Sequence, residues 1–154
     1  MKLSTKGRYG LRAMIDLARY SEKEPVSIGN VAARQGISER YLEQLVALLK
    51  KAGLVKSIRG ASGGYELAKK PSEISVGDIL RALEGSLEPV KCAAFDTESG
   101  EGCMASDGCV TKYVWQKIND SINDTVNQIM LDELIRESKS INPDGDCENP
   151  KCSQ

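Results

Sequence analysis

Three cysteines, Cys92, Cys103 and Cys109, lie close together in a polar segment rich in glycine and acidic residues. Thiolates are donors preferred by zinc and by iron–sulfur clusters. Cysteines with so little apolar company are poor core residues, so an idle structural role is disfavoured. The segment therefore predicts a loop that binds a metal ion or an inorganic cluster.

The cysteine spacing favours an iron–sulfur cluster over structural zinc. Ten residues separate Cys92 from Cys103, and five separate Cys103 from Cys109. Neither gap matches the short Cys-x-x-Cys knuckle of structural zinc sites. Iron–sulfur clusters also use thiolates and accept irregular spacings, and they respond to oxygen, nitric oxide or iron supply. A zinc site is the alternative on ligand type.

The sequence leaves a fourth ligand open, because it contains no histidine. The two other thiols, Cys147 and Cys152, are candidates, although they also fit a disordered thiol pair or a redox couple. The remaining candidates are an exogenous thiol or a carboxylate of the loop: Asp96, Glu98, Glu101 or Asp107.

Charge is divided unevenly along the 154 residues. Residues 1–70 hold 14 Lys and Arg against 6 Asp and Glu, whereas residues 71–154 hold 7 against 16. Such asymmetry is expected when only the basic part meets a polyanion such as DNA. No apolar stretch approaches the roughly 18 residues that cross a bilayer, and no signal peptide is visible, so we expect a cytoplasmic protein with no membrane partner.

Apolar periodicity predicts the helices that precede the cysteines. A first helix is expected over Tyr9 to Tyr20. Two short helices should follow, capped by Ser27 and Ser38 and joined at Gly36, where a positive φ costs little. Two short helices joined in this way form a helix-turn-helix.

A hairpin and a further helix should follow. Residues 54–58 and 65–67 are β-prone and enclose a glycine-rich tip, which predicts a wing. After Pro71, Ser75 and Asp78 are a capping pair for a helix that ends at Gly85.

Helical periodicity resumes beyond the cysteines. From Thr111 to about Leu134, apolar residues recur every three or four positions for about six turns. One small core does not obviously cover so long a stripe. We therefore favour a homodimer that pairs these helices over packing within the chain on the first helix.

The helix after Gly36 and the wing carry the candidate DNA contacts. With its apolar residues inward, this helix turns Arg40, Glu43 and Gln44 toward the major groove. An arginine on a glycine-rich tip suits the narrow minor groove, and the other polar side chains suit phosphates. The eight candidates are Ser38, Arg40, Tyr41, Glu43, Gln44, Lys51, Lys56 and Arg59.

Together these segments resemble the bacterial winged-helix regulators that include IscR, NsrR and CymR, and most of all the IscR-like iron–sulfur cluster regulators. The resemblance runs from Met1 to about Ser140, and its segments are MKLSTKGRYGLRAMIDLA, ISERYLEQLVALLKKAGLV, SIRGASGGYELAK and ISVGDILRALEG. It implies a homodimer that crosses its long helices on a pseudo-palindromic, double-stranded operator. It also implies a cysteine-bound cluster that changes which promoters are held, and regulation of cluster assembly.

The resemblance implies roles for particular residues. It assigns base reading to Glu43 and Gln44 and the minor groove to Arg59. It makes Cys92, Cys103 and Cys109 the ligands of a 2Fe-2S cluster, with 4Fe-4S as the alternative. In 2Fe-2S relatives the first cysteine gap is shorter, and a histidine stands where this chain has Lys112.

The sequence thus predicts a mainly α fold with a small β-hairpin wing, that is, a winged helix-turn-helix plus a long C-terminal dimerisation helix. The predicted parts are a DNA-binding domain over 1–84, a cluster-binding loop over 85–110, the dimerisation helix over 111–140 and a flexible tail over 141–154. We expect a dimeric transcription repressor that senses an iron–sulfur cluster. Its targets would be the genes of cluster assembly or related iron and sulfur genes.

Other functions have less support. An enzyme is not expected, because no cysteine has a nearby base or a Cys-x-x-Cys partner. NsrR-like relatives sense nitric oxide with a 4Fe-4S cluster. CymR-like relatives need no cluster and govern cysteine metabolism through a partner enzyme, a partner that is not favoured here. A zinc-stabilised regulator and a protein-interaction adaptor are further alternatives.

Overall fold

The computed structural model describes residues 3–90 and 109–143. Within these ranges two strands form one antiparallel hairpin and the other regular elements are helices, which confirms the mainly α fold with a small wing. The elements are α1 (Thr5–Tyr20), α2 (Ile28–Gln35), α3 (Glu39–Lys51), β1 (Val55–Ile58), β2 (Gly64–Leu67), a 3-10 turn (Pro71–Glu73), α4 (Val76–Glu84), α5 (Val110–Gln128) and α6 (Leu131–Ile141).

Serine side chains begin each of the first four helices. Each hydroxyl accepts a backbone N–H of the first turn, which would otherwise lack a partner. The four caps are Ser4, Ser27, Ser38 and Ser75. α2 ends at Gly36 with a φ of 64°, a left-handed conformation that glycine adopts without strain. The helix-turn-helix therefore lies where the sequence predicts it.

The core lies where α1 packs against α2, α3 and α4, and α6 covers it from the side of α1. One carboxylate is buried among these helices: Asp16 accepts hydrogen bonds from Arg34 and Gln35 of α2, so its charge is compensated. The largest fully buried side chains are Met14, Leu17, Leu42, Leu45, Leu49, Ile74, Ile79, Leu131, Val31 and Val55.

The helix expected over 111–140 is two helices in the structure, because the chain is extended at Ile129 and Met130. Here the backbone pairs with the segment before α4 instead of with its own preceding turn. Val76 N–H donates to the Ile129 carbonyl at 2.9 Å, and Leu131 N–H donates to the Ile74 carbonyl at 2.8 Å. These tertiary hydrogen bonds replace helical ones, which apolar spacing does not reveal.

The break gives the two helices different surroundings. α6 packs on α1 and buries Leu131 and Ile135 in the core, so packing within the chain accounts for this part of the apolar stripe. α5 packs on α4 and keeps exposed apolar residues along its first half, from Val110 to Ile118. Of the helices in the described ranges, none combines the length and apolar character that crossing a bilayer requires.

Candidate nucleic-acid interface

The recognition helix, α3, has one apolar and one polar face. Leu42, Leu45 and Leu49 are almost completely buried. The opposite face is exposed and carries Arg40, Glu43, Gln44, Ala47 and Lys51. The side chains predicted to face the major groove are therefore free to approach a partner, and Ala47 leaves room for that approach.

Ser38 and Tyr41 hold the beginning of α3. The Ser38 hydroxyl accepts the Tyr41 N–H at 3.3 Å, which commits this side chain to capping. The half-buried Tyr41 ring meets Tyr9 of α1 edge-on, with ring centroids 6.1 Å apart. The Tyr41 hydroxyl lies 3.2 Å from that of Thr5. Both residues position the beginning of α3. Through Tyr41, this end of α3 also contacts α1, so α1 lies beside the candidate interface.

Cationic residues of α1 lie beside this contact, and the sequence reasoning missed them. The guanidinium carbons of Arg8 and Arg12 lie 5.3 and 5.6 Å from the centre of the Tyr9 ring. Arg12 also donates to the Gln35 side chain of α2 at 2.9 Å. The available signal was two arginines four residues apart around an aromatic, since that spacing places side chains on one helix face.

The wing is attached to the segment between α1 and α2 by backbone hydrogen bonds. β1 pairs with β2 from Val55 opposite Leu67 to Ile58 opposite Gly64. Tyr65 exchanges two backbone hydrogen bonds with Val26, at 2.9 and 2.8 Å. A Cβ on Gly64 would lie 2.6 Å from the Val26 carbonyl carbon, so the chains approach this closely only at a glycine.

Arg59 is exposed at the tip of the wing, next to Gly60 with a φ of 119°. Lys56 is also exposed, but its ammonium lies 2.8 Å from Glu66 on the paired strand. Exposed ion pairs of this kind contribute little, so a phosphate can compete for Lys56. Arg59 is the candidate with the most open approach on the wing.

Of the three loop cysteines, only Cys109 lies within the described residues; Cys92, Cys103, the four loop carboxylates, Cys147 and Cys152 lie outside them. Cys109 immediately precedes α5 and is exposed. Hydrogen bonds from the Thr111 hydroxyl, 3.0 Å away, and from the backbone N–H groups of Lys112 and Thr111 hold the pKa of its thiol below the usual value. A thiol of this kind is suited to act as a thiolate ligand.

A complete metal site is not visible in the described part of the chain: within 3–90 and 109–143, no group of three or more His, Cys, Asp or Glu side chains could hold a metal ion. Lys112 is half-buried, and its backbone N–H donates to the Cys109 carbonyl at 3.1 Å.

The chain is similar to transcription regulators over most of its length. The family model Rrf2, described as an iron-dependent transcriptional regulator, matches residues 3–137. The HTH-type transcriptional regulator IscR of Pectobacterium carotovorum subsp. carotovorum (strain PC1) is 44% identical over 135 residues, covering 88% of this chain and 79% of the relative. The protein of the same name from Escherichia coli O1:K1 / APEC is 39% identical over 145 residues, covering 94% and 86%.

Solved structures agree with these matches. T. potens IscR superposes with a TM-score of 0.72 at 47% identity, covering 92% of this chain and 91% of that one. CymR (YrzC), the global cysteine regulator of B. subtilis, superposes with a TM-score of 0.72 at 41% identity, covering 89% and 98%. These relatives are regulators and not enzymes. The chain therefore belongs to the Rrf2 family of DNA-binding transcription regulators.

Proposed function

We propose that this protein is a homodimeric regulator that reads a pseudo-palindromic operator with α3 and the wing, and whose affinity for that operator depends on an iron–sulfur cluster. The exposed polar face of α3, followed along the chain by a wing with an exposed arginine tip, is the observation that carries the proposal. Each protomer would read one half-site. The protein would work in the bacterial cytoplasm, where its DNA lies.

The side chains on α3 suit the reading of base edges. Arg40 donates to guanine or to a phosphate, Gln44 pairs with adenine, and Glu43 accepts from the amino group of cytosine. Glu43 repels phosphates when it does not meet a cytosine, so it selects sequence more than it adds affinity. Arg59 supplies a cation to the minor groove, where the negative potential is strongest when the groove is narrow.

Among the described residues, nothing covers part of the apolar face of α5, which supports the homodimer. Residues that would be poor surface residues are exposed there: Val110 at 84%, Tyr113 at 64%, Val114 at 49% and Ile118 at 38%. Three of them, Tyr113, Val114 and Ile118, line an open groove of about 660 Å³ together with Leu3, Leu80 and Leu87. Contiguous exposed apolar surface marks interaction sites. The α5 helix of a second copy is the occupant we propose, because a twofold dimer places the same patch of both chains in contact.

Cys109 connects the cluster to this dimer surface. Its thiol, with a lowered pKa, fits a cluster ligand and directly precedes Val110, the first residue of α5. We propose Cys92 and Cys103 as the accompanying ligands, and a 2Fe-2S cluster as the group they hold. The cluster would supply a chemistry that iron, oxygen or nitric oxide can alter. Its gain or loss at the beginning of α5 would shift operator affinity by a coupling energy of about 1–3 kcal/mol.

Anaerobic purification of the full chain tests the proposal. We expect iron and acid-labile sulfide, visible absorbance, and different operator affinities for the cluster-loaded and the chelator-treated protein. Cys109→Ala should lose the absorbance and keep the fold. Colourless protein that contains zinc instead of iron would favour the zinc-stabilised regulator.

A cysteine-metabolism regulator is the second candidate, supported by the similarity to CymR of B. subtilis. It predicts a protein without iron or sulfide whose DNA affinity changes when an enzyme of cysteine synthesis is added. A nitric-oxide sensor would instead contain a 4Fe-4S cluster and release DNA on exposure to nitric oxide. The same purified sample separates these outcomes from a 2Fe-2S sensor.

A further inference from the structure

Three asparagines recur at four-residue intervals along α5: Asn119, Asn123 and Asn127. Asparagine is a weak helix former, because its side chain competes with the backbone for hydrogen bonds. Residues four apart lie on the same face of a helix. Three such residues in one 19-residue helix therefore indicate that this face has a specific polar partner.

The partner is Arg81 of α4. A single nitrogen of its guanidinium, Nη2, donates to Asn123 Oδ1 at 2.9 Å and to Asn127 Oδ1 at 2.7 Å. The Asn123 amide in turn donates to the backbone carbonyl and the side-chain oxygen of Asn119, at 2.9 and 3.1 Å. These hydrogen bonds fix the orientation of the Asn123 side chain, with its oxygen toward Arg81. The donor is a charged guanidinium, and charged donors form stronger hydrogen bonds than neutral ones.

The two helices are also very close at this point. A Cβ on Gly77 of α4 would lie 2.3 Å from Asn127 Oδ1 and 2.8 Å from Arg81 Nη1. Any side chain larger than hydrogen would separate α4 from α5 or displace this amide. The close approach therefore holds the arginine and the asparagines within hydrogen-bonding distance.

A second attachment lies at the end of α5, where the Ile129 carbonyl accepts the Val76 N–H at 2.9 Å. Asn123 and Ile129 are about 9 Å apart along the helix axis at 1.5 Å per residue. Two fixed points at this separation determine the direction of the helix. From Asn123 back to Val110 the helix extends about 20 Å, so a tilt of roughly 10° moves that end by about 3.5 Å.

We propose that the joint of Arg81 with Asn123 and Asn127 determines which half-site spacing the dimer accepts. The inference rests on the proposed function, in which the exposed face of α5 pairs with a second copy. The joint then sets the position of each helix-turn-helix relative to the dimer contact. Adding one base pair moves a half-site by about 3.4 Å along the duplex, which is comparable to the displacement that a small tilt of α5 produces, and also rotates the half-site by about 35°.

The experiment uses the full chain and duplexes that the wild type selects from a random pool. Synthetic versions of the selected duplex carry one base pair inserted or removed at the centre, and each Kd is measured by fluorescence anisotropy at fixed salt. The ratio of the Kd on altered spacing to the Kd on selected spacing is the readout. For wild type we expect this ratio to be about ten or more, which is in the range of the affinity lost through a mismatched base pair in an operator. Arg81→Leu and Asn127→Ala should reduce this ratio by about threefold or more.

Two controls isolate the joint. Asn127→Asp keeps an oxygen that accepts from Arg81, so it should retain the wild-type ratio. Gln128→Ala truncates the neighbouring exposed amide and should also leave the ratio unchanged. Affinity for a single half-site should be equal in all variants. Asn127 is exposed, so its truncation tests the joint even where Arg81→Leu fails to fold.

The outcomes separate the two proposals. If Asn127→Ala is dimeric and keeps the wild-type ratio, the joint does not set spacing and the inference is overturned, while the proposed function stands. If the wild type is monomeric, or selects no duplex, the proposed function is overturned and the spacing role falls with it.

Discussion

At the scale of single residues, Arg59 and Glu43 illustrate the two different contributions to DNA binding that we propose. Arg59 lies exposed at a tip of small residues, so its charge is open to an approaching duplex. Glu43 carries a negative charge toward a polyanion, which is favourable only where a base donates to it. The first residue should control affinity and the second should control selectivity.

Replacing Arg59 should weaken binding to every sequence. Arg59→Ala removes one cation, so the slope of log K against log salt should decrease by about 1, and affinity should fall for selected and random duplexes alike. Anisotropy titrations at several salt concentrations measure both effects. Lys139→Ala on α6 removes an exposed cation far along the chain from the wing and should change neither. An unchanged slope for Arg59→Ala would remove the wing from the interface.

Replacing Glu43 should change which bases are preferred. Glu43→Ala removes an acceptor for cytosine and a source of phosphate repulsion, so discrimination at one or two operator positions should fall by about 1–3 kcal/mol. Total affinity for random DNA should stay equal or rise slightly. Binding to a panel of single-base variants of the selected operator measures this, with Glu137→Ala on α6 as the exposed carboxylate control. A uniform loss across the panel would contradict base reading by Glu43.

At the scale of elements, α4 packs against α1, α3 and α5, and Glu84 at its end holds the beginning of α1. Its carboxylate accepts from the Ser4 N–H at 3.0 Å, the Ser4 hydroxyl at 2.7 Å and the Gly7 N–H at 2.8 Å. Burial alone would raise the Glu84 pKa, but these hydrogen bonds and the nearby Lys6 charge outweigh it, so the pKa lies below its usual value. Glu84 and the Ser4 cap together account for the beginning of α1 at Thr5, four residues before the expected Tyr9.

The lowered pKa of Glu84 gives a prediction with a definite sign. A carboxyl whose pKa is lower in the folded state stabilises the fold above its ordinary pKa of about 4.3 and loses this contribution as pH falls through the folded value. Glu84→Gln should therefore reduce the free energy of unfolding by about 1 kcal/mol at pH 7, and the difference from wild type should shrink toward pH 3. Urea denaturation across this range is the measurement.

Glu88 offers the matched control for Glu84, because it is an exposed glutamate four residues later. Glu88→Gln should leave the free energy of unfolding unchanged at every pH. If Glu84→Gln matches wild type at pH 7, or differs from it equally at pH 7 and pH 3, the carboxylate does not stabilise the beginning of α1 as described.

Local sequence signals predicted most elements, because they act through neighbouring residues. The caps at Ser27, Ser38 and Ser75 and the turn at Gly36 depend on short-range geometry, so they were predicted from sequence. The break at Met130 depends on hydrogen bonds with residues more than fifty positions away, so periodicity predicted one helix where there are two. Long-range pairing leaves no local signal.

At the scale of the whole molecule, the difference between local and long-range determinants also separates the candidate DNA contacts from the contacts between helices and from the cysteines. The candidate DNA contacts lie on one helix and one hairpin, so local spacing predicted that most of them are exposed. The contact of Tyr9 on α1 with Tyr41 on α3 depends on how the two helices cross, which only the structure shows. The cysteine trio has no periodic pattern that would position it, and Cys109 alone among its members lies within the described residues.

The dimer proposed on α5 gives the prediction that concerns the whole molecule. Val114→Glu places a carboxylate in the exposed apolar face, where burial against a second copy would cost several kcal/mol without a partner. The wild type should be a dimer in sedimentation experiments, and the variant should be a folded monomer because Val114 is half exposed in the single chain. Losing the second half-site should weaken operator binding by about 100-fold or more.

Gln128→Glu adds the same charge to an exposed position at the end of α5 and should remain dimeric. A dimeric Val114→Glu protein with wild-type affinity would show that the two copies meet elsewhere.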